Sequence, residues 1–68
     1  MRTEIHESDP FSEKPLALLA TIDSEYRFQK GDEIYIDAPR KVKVRVLDVR
    51  VHVGEGGQLS RQILALKL

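Results

Sequence analysis

The chain has 68 residues, 41% hydrophobic and 32% charged, with eleven basic and eleven acidic side chains, no cysteine and no tryptophan. One domain of this size removes only about 60% of its unfolded surface from water, and neither a disulfide nor a cysteine-ligated metal is there to add stability. Its longest apolar run, residues 16–20, is far short of the ~20 residues that span a bilayer. The first fifteen residues carry Glu4, Glu7, Asp9 and Glu13 and no apolar stretch, which reads against a secretory signal and makes the cytoplasm the expected compartment.

The zero net charge hides an asymmetry. Residues 1–37 hold four basic side chains against nine acidic ones, and residues 38–68 hold seven basic against two acidic. Strands from the two halves lying side by side would let these charges complement one another; a one-signed face for a charged partner is the other reading.

In chain order, residues 1–14 are polar apart from Met1, Ile5 and Phe11 and follow neither the helical nor the strand period. They read as a flexible N-terminal tail, with a short turn opening at Asp9 and Pro10, and residues 15–68 as the folded domain. Residues 16–22 fit a strand or two turns of helix. Pro15 before them and Asp23-Ser24 after them leave a strand's length, with Leu16, Leu18, Ala20 and Ile22 on one side. Tyr26 and Phe28 then alternate up to a Lys30-Gly31-Asp32 turn, and Ile34 and Ile36 restart the alternation before Asp37-Ala38-Pro39-Arg40 interrupts it.

The next stretch is the most informative. Val42, Val44 and Val46 occupy even positions, whereas Leu47, Val49, Val51 and Val53 occupy odd ones. Strand side chains alternate with period two, so the phase reversal at Val46-Leu47 requires a bulge, a sharp bend or a strand covered on both faces. The terminal arm changes phase as well, with Leu59, Ile63 and Ala65 on odd positions and Leu64, Leu66 and Leu68 on even ones.

Gly54-Glu55-Gly56-Gly57 is a flexible connection between these arms. Pairing Val53 with Leu59 sets Val49 opposite Ile63, Leu47 opposite Ala65, Val46 opposite Leu66 and Val44 opposite Leu68. A register one residue shorter would face Val51 with Ser60 and Val49 with Gln62, wasting apolar partners. A long hairpin bent in its middle and apolar on opposite faces beyond the bend would belong to two sheets. The expected fold is therefore all-β, a small five-stranded antiparallel barrel.

The string Phe28-Gln29-Lys30-Gly31-Asp32-Glu33-Ile34, an aromatic followed by a Gly-Asp turn into a strand, resembles an early hairpin of Src-homology-3-type and translation-factor-like barrels. The resemblance covers seven residues and implies architecture alone.

Enzyme chemistry finds few candidates. His6 stands in the tail segment, and His52 points away from the face of Val51 and Val53, as a rim residue would. The carboxylates of Asp32, Glu33 and Asp37 sit at or beside turns, where aspartate caps backbone amides. The glycine-rich connection lacks the lysine and helix of a phosphate loop. These features predict a non-enzymatic module with no metal, cofactor or small-molecule substrate.

Two kinds of partner remain. Arg40, Lys41, Lys43 and Arg45, with Arg50 and the aromatic Tyr35, form a candidate nucleic-acid face, with Arg61, Tyr26 and Phe28 as potential neighbours. The main expectation is a protein partner or self-association, because the Val42–Val46 and Leu64–Leu68 region is apolar on both faces. Either the Phe11 and Leu16 region of the same chain or another subunit must cover it.

Overall fold

The structure is a computed structural model that describes residues 1–68. Five strands form one sheet: β1 (Arg2–Ser8), β2 (Pro15–Asp23), β3 (Glu33–Ile36), β4 (Val42–Val53) and β5 (Leu59–Lys67). Their order across the sheet is β2-β1-β5-β4-β3. The chain is all-β with five strands, as the alternation predicts, but the sheet is a curled half-barrel rather than a closed antiparallel barrel. Its edge strands β2 and β3 remain apart, and β1 runs parallel to β5 while every other neighbouring pair is antiparallel.

The polar N-terminal segment supplies the largest correction. Where a flexible tail is expected, β1 lies inside the sheet between β2 and β5. The short turn expected after Asp9 is present: the Asp9 carboxylate accepts hydrogen bonds from the backbone amides of Phe11 at 2.8 Å and Ser12 at 3.1 Å. Strand β1 flanks β5 as far as Ala65, while Phe11 is almost fully exposed. Residues 24–32, by contrast, form no strand, so Tyr26 and Phe28 belong to an irregular crossing from β2 to β3.

The β4–β5 hairpin forms with Val53 opposite Leu59 and Val49 opposite Ile63, as the patterning requires. Beyond Asp48 the register shifts by one residue. Val46 then faces Ala65, Arg45 faces Leu66 and Val44 faces Lys67, which leaves Leu47 as the extra residue of a bulge. This shift corrects the expected handover between two layers. By absorbing one residue, the bulge keeps Val44, Val46 and Val49 on the same concave face, together with Ile63 and Ala65.

That face carries the core. Ile5, Ile36, Val44, Val46, Ile63 and Ala65 form a buried cluster, against which Leu19, Ala20, Phe28, Ile34, Val42 and Val49 pack. Leu64 is fully buried on the opposite, convex face, in one row with His6 of β1 and Asp48 of β4. Over this face the Arg50 guanidinium donates to the Glu13 carbonyl at 3.2 Å, anchoring the β1–β2 turn. Glu13 has φ of +54°, a left-handed conformation that the surrounding turn must hold in place.

One buried cation pins the crossing segment. Arg61 of β5 is only 7% exposed, and its Nε donates to the Thr3 hydroxyl at 3.0 Å. Its two terminal nitrogens donate to the backbone carbonyls of Tyr26 and Ser24, and its guanidinium lies 5.3 Å from the centroid of the Phe28 ring. A chain of this length has a total stability on the order of 3 to 10 kcal/mol. Arg61→Gln is expected to lose about 3 kcal/mol in urea unfolding, because three acceptors lose their donor, and Arg61→Lys is expected not to restore it, because an ammonium cannot reproduce the planar fork. Ile63→Ala, which empties the centre of the core, is expected to cost about 2 to 5 kcal/mol in the same measurement.

Candidate functional site

Two regions carry features beyond packing: the basic row on the convex face and the open seam between the edge strands. The strand alternation of β4, interrupted by its bulge, places Lys43, Arg45, Asp48, Arg50 and His52 on the convex side, opposite the core valines. Cross-strand pairing sets Tyr35 of β3 opposite Lys43 and Glu33 opposite Arg45. Tyr35, Lys43 and Arg45 of the predicted basic face therefore come together, as expected. Arg50 lies farther along the row beyond the bulge, and Arg40 and Lys41 are exposed where residues 37–41 connect β3 to β4.

The geometry also places carboxylates among these cations. Glu33 forms ion pairs with Arg45 at 3.1 Å and with Lys43 at 3.7 Å, and Lys43 Nζ rests 5.3 Å from the centroid of the Tyr35 ring. Arg50 is paired with Asp48 at 3.2 Å. Three of the six predicted binding residues are thus ion-paired within the chain, three cations against the two carboxylates of Glu33 and Asp48. The hydrogen bond from Arg45, followed by the charge of Lys43, holds the Glu33 carboxyl below the ordinary carboxylate range.

His52 faces Ser60 across the β4–β5 ladder and lines a small polar cavity with it and Glu4, with no hydrogen bond joining the three. His52 is exposed on the convex side. His6, which the sequence places in a tail, is instead a half-buried residue of β1 with Nε2 3.0 Å from the Glu4 carboxylate. This contact lowers the Glu4 pKa, while the buried His6 Nδ1 has no hydrogen-bond partner. No three His, Asp or Glu side chains gather closely enough to hold a metal ion. Arg61, Tyr26 and Phe28 do meet, with the Arg61 guanidinium on the Tyr26 carbonyl and over the Phe28 ring while the Tyr26 side chain is exposed.

The seam is the second region. Because the sheet curls without closing, its two edges face one cleft of about 260 Å³. Leu18 and Leu19 of β2 line one wall, and Ile36 and Val42 line the other. Arg40, Lys67 and Glu7 stand around the same space, and none of the three forms an ion pair within the chain. Leu16 and Leu18 on the β2 edge are each more than half exposed. The sequence reading places both leucines on one side of the strand with Ala20 and Ile22. The signal that marks them is the adjacent pair Leu18-Leu19, whose doubled apolar phase coincides with a register shift between Ala20 and Leu18.

No helix of the chain is long and apolar enough to cross a membrane. No protein-family model, curated protein or solved structure matches the chain.

The carboxylates give a pH dependence with a defined sign. Glu4, Asp9 and Glu33 are all held below their usual values, 4.5 for glutamate and 3.8 for aspartate. A depressed folded-state pKa contributes stability above the unfolded value, and that contribution disappears as pH falls through the folded value. Thermal melts between about pH 3 and 7 are expected to be flat near neutrality and to fall as pH drops below about 4.5. Arg45→Gln, which returns Glu33 toward its ordinary pKa, is expected to make that acid decline shallower.

Proposed function

We propose that this chain is a non-enzymatic binding module that acts through protein-protein contacts made at the open seam of its half-barrel. The observation carrying this reading is the unclosed sheet, whose two free edges converge on one apolar cleft, with Leu16 and Leu18 exposed beside it. Small β domains usually blunt or cover their edges, and an apolar edge left in water favours addition of further chain. The cleft is also narrow for a metabolite, since small-molecule sites commonly reach about 300–1,000 Å³.

A nucleic-acid reading receives less support. Lys43 and Arg45 share Glu33, and Arg50 is engaged by Asp48, so a phosphate backbone would have to displace carboxylates from half of the candidate face. The net charge of zero supplies no long-range attraction to a polyanion.

Selection of a random-peptide display library on the purified chain tests the proposal. Enrichment of a shared sequence pattern is expected, with binding lost in Leu18→Asp and retained in Arg45→Gln, since Arg45 does not line the cleft. Because Leu18 is 54% exposed, Leu18→Asp is expected to leave the urea midpoint nearly unchanged. Absence of enrichment, or binders indifferent to Leu18, would remove the seam as the interaction surface. Sedimentation that shifts from monomer to dimer at high micromolar concentration, and is reversed by Leu18→Asp, would assign the same surface to self-association.

A further inference from the structure

We infer that the seam takes an extended segment of a partner protein that adds to β3, directs alternate apolar side chains into the cleft and places an acidic side chain between Arg40 and Lys67. The inference rests on the seam reading above and adds the conformation and charge of the segment.

The choice of edge follows from ladder geometry. Strand β3 pairs with β4 in unbroken register from Glu33↔Arg45 to Ile36↔Val42, so its free side presents a regular row of backbone groups. Strand β2 carries two register shifts against β1, one between Ile5 and His6 and one between His6 and Ser8. Bulges twist an edge away from further pairing. Strand β3 can therefore be extended, while β2 contributes an apolar wall through Leu18 and Leu19. A segment added to a strand shows every second side chain to one face, so two inward residues separated by one outward residue would meet Leu18, Leu19, Ile36 and Val42.

The charge follows from which cations lack a carboxylate. Lys43, Arg45 and Arg50 are ion-paired on the convex face, and Arg61 is enclosed by carbonyls and a ring. Arg40 and Lys67 have no such partner, and both stand at the cleft beside Ile36. Glu7 lines the same space, leaving two cations to one carboxylate. A second copy of the chain is a poorer occupant. Its β3 would bring another Glu33 to the edge, and its β2 would bring a bulged strand.

The probe is the blocked heptapeptide acetyl-Asp-Thr-Leu-Thr-Ile-Thr-Asp-amide, whose Asp, Leu and Ile share one face. Comparison peptides carry Asn or Lys at both ends. Titrated into ¹⁵N-labelled chain, the Asp peptide is expected to shift the amides of Leu18, Ile36 and Arg40 and to bind about fivefold more tightly than the Asn peptide, as expected for a partly exposed ion pair. The Lys peptide is expected to bind more weakly than the Asn peptide. The double substitution Arg40→Gln and Lys67→Gln is expected to erase the preference for Asp while keeping the apolar contact, and Glu7→Gln is expected to strengthen it.

Equal affinity of all three peptides, with shifts at Leu18 and Ile36, would overturn the acidic preference and leave the seam as a binding surface. Shifts confined to the convex face would overturn both readings, as would silence from all three peptides combined with an empty display selection. Silence alongside successful selection of seam binders would overturn only the extended acidic segment. Concentration-dependent shifts of the seam amides without peptide would give the surface to a second copy and overturn the proposed partner.

Discussion

The half-barrel depends on a guanidinium held without a carboxylate. The chain leaves one edge of the sheet at Asp23 and re-enters at the other edge at Glu33, so residues 24–32 must cross the concave face. Arg61, projecting from the central strand β5, holds that crossing by its hydrogen bonds to the Ser24 and Tyr26 carbonyls and its contact with the Phe28 ring. Burying a cation is costly unless its hydrogen-bonding capacity is met, and here carbonyl dipoles, the Thr3 hydroxyl and an aromatic face meet it. The crossing is further sewn to β4 where Gly31 donates to the Val46 carbonyl and Val46 donates to the Asp32 carbonyl. With only 10 of 68 residues buried, this polar anchor shares with a small apolar cluster the task of keeping the sheet curled.

The bulges set the shape that the anchor maintains. Two fall on β2, one between the levels of Ile5 and His6 and one between those of His6 and Ser8, and a third falls on β4 between Val46 and Asp48, where β5 carries Ala65 and Leu64 beside Glu7 and His6. Extra residues on the strands either side of the central pair increase local twist and bend both wings of the sheet. The wings approach closely enough to share one cleft but do not hydrogen-bond to each other. The seam thus follows from the bulges of β2 and β4, two of which fall at Leu19 and Leu47, where the strand alternation is disturbed.

Those leucines also explain what could be read from the chain and what could not. The β4–β5 hairpin is legible because the apolar alternation of β4 has one register that matches Val53 with Leu59 and Val49 with Ile63, with Arg61 opposite Val51 as the polar exception, and the structure has that register from Asp48 to Val53. The disturbance at Val46-Leu47 was visible too, but periodicity cannot distinguish a bulge, which preserves the face, from a bend that exchanges it. Strand β1 is hidden because its composition is polar and the bond that buries Thr3 comes from Arg61, far along the chain, while Ser8 is met by the carbonyl of the adjacent Asp9. Glu4 and His6 meet only because β1 is extended. A parallel neighbour leaves no turn signal in the sequence. The basic residues were identifiable by charge, yet their ion pairing with Glu33 depends on a cross-strand register that composition does not contain.

The parallel pairing of β1 with β5 has a kinetic meaning. Arg61 and Thr3, bonded at the centre of the sheet, are 58 positions apart. The β4–β5 and β1–β2 hairpins can each assemble from neighbouring residues, but joining β1 to β5 must close the 58 positions between Thr3 and Arg61, at a large loop-closure cost. Until that closure β1 has only β2 as a neighbour, and its scarcity of grease suits it to that interval. What looks like a weak strand by composition is one able to leave its second edge open until its docking groove exists.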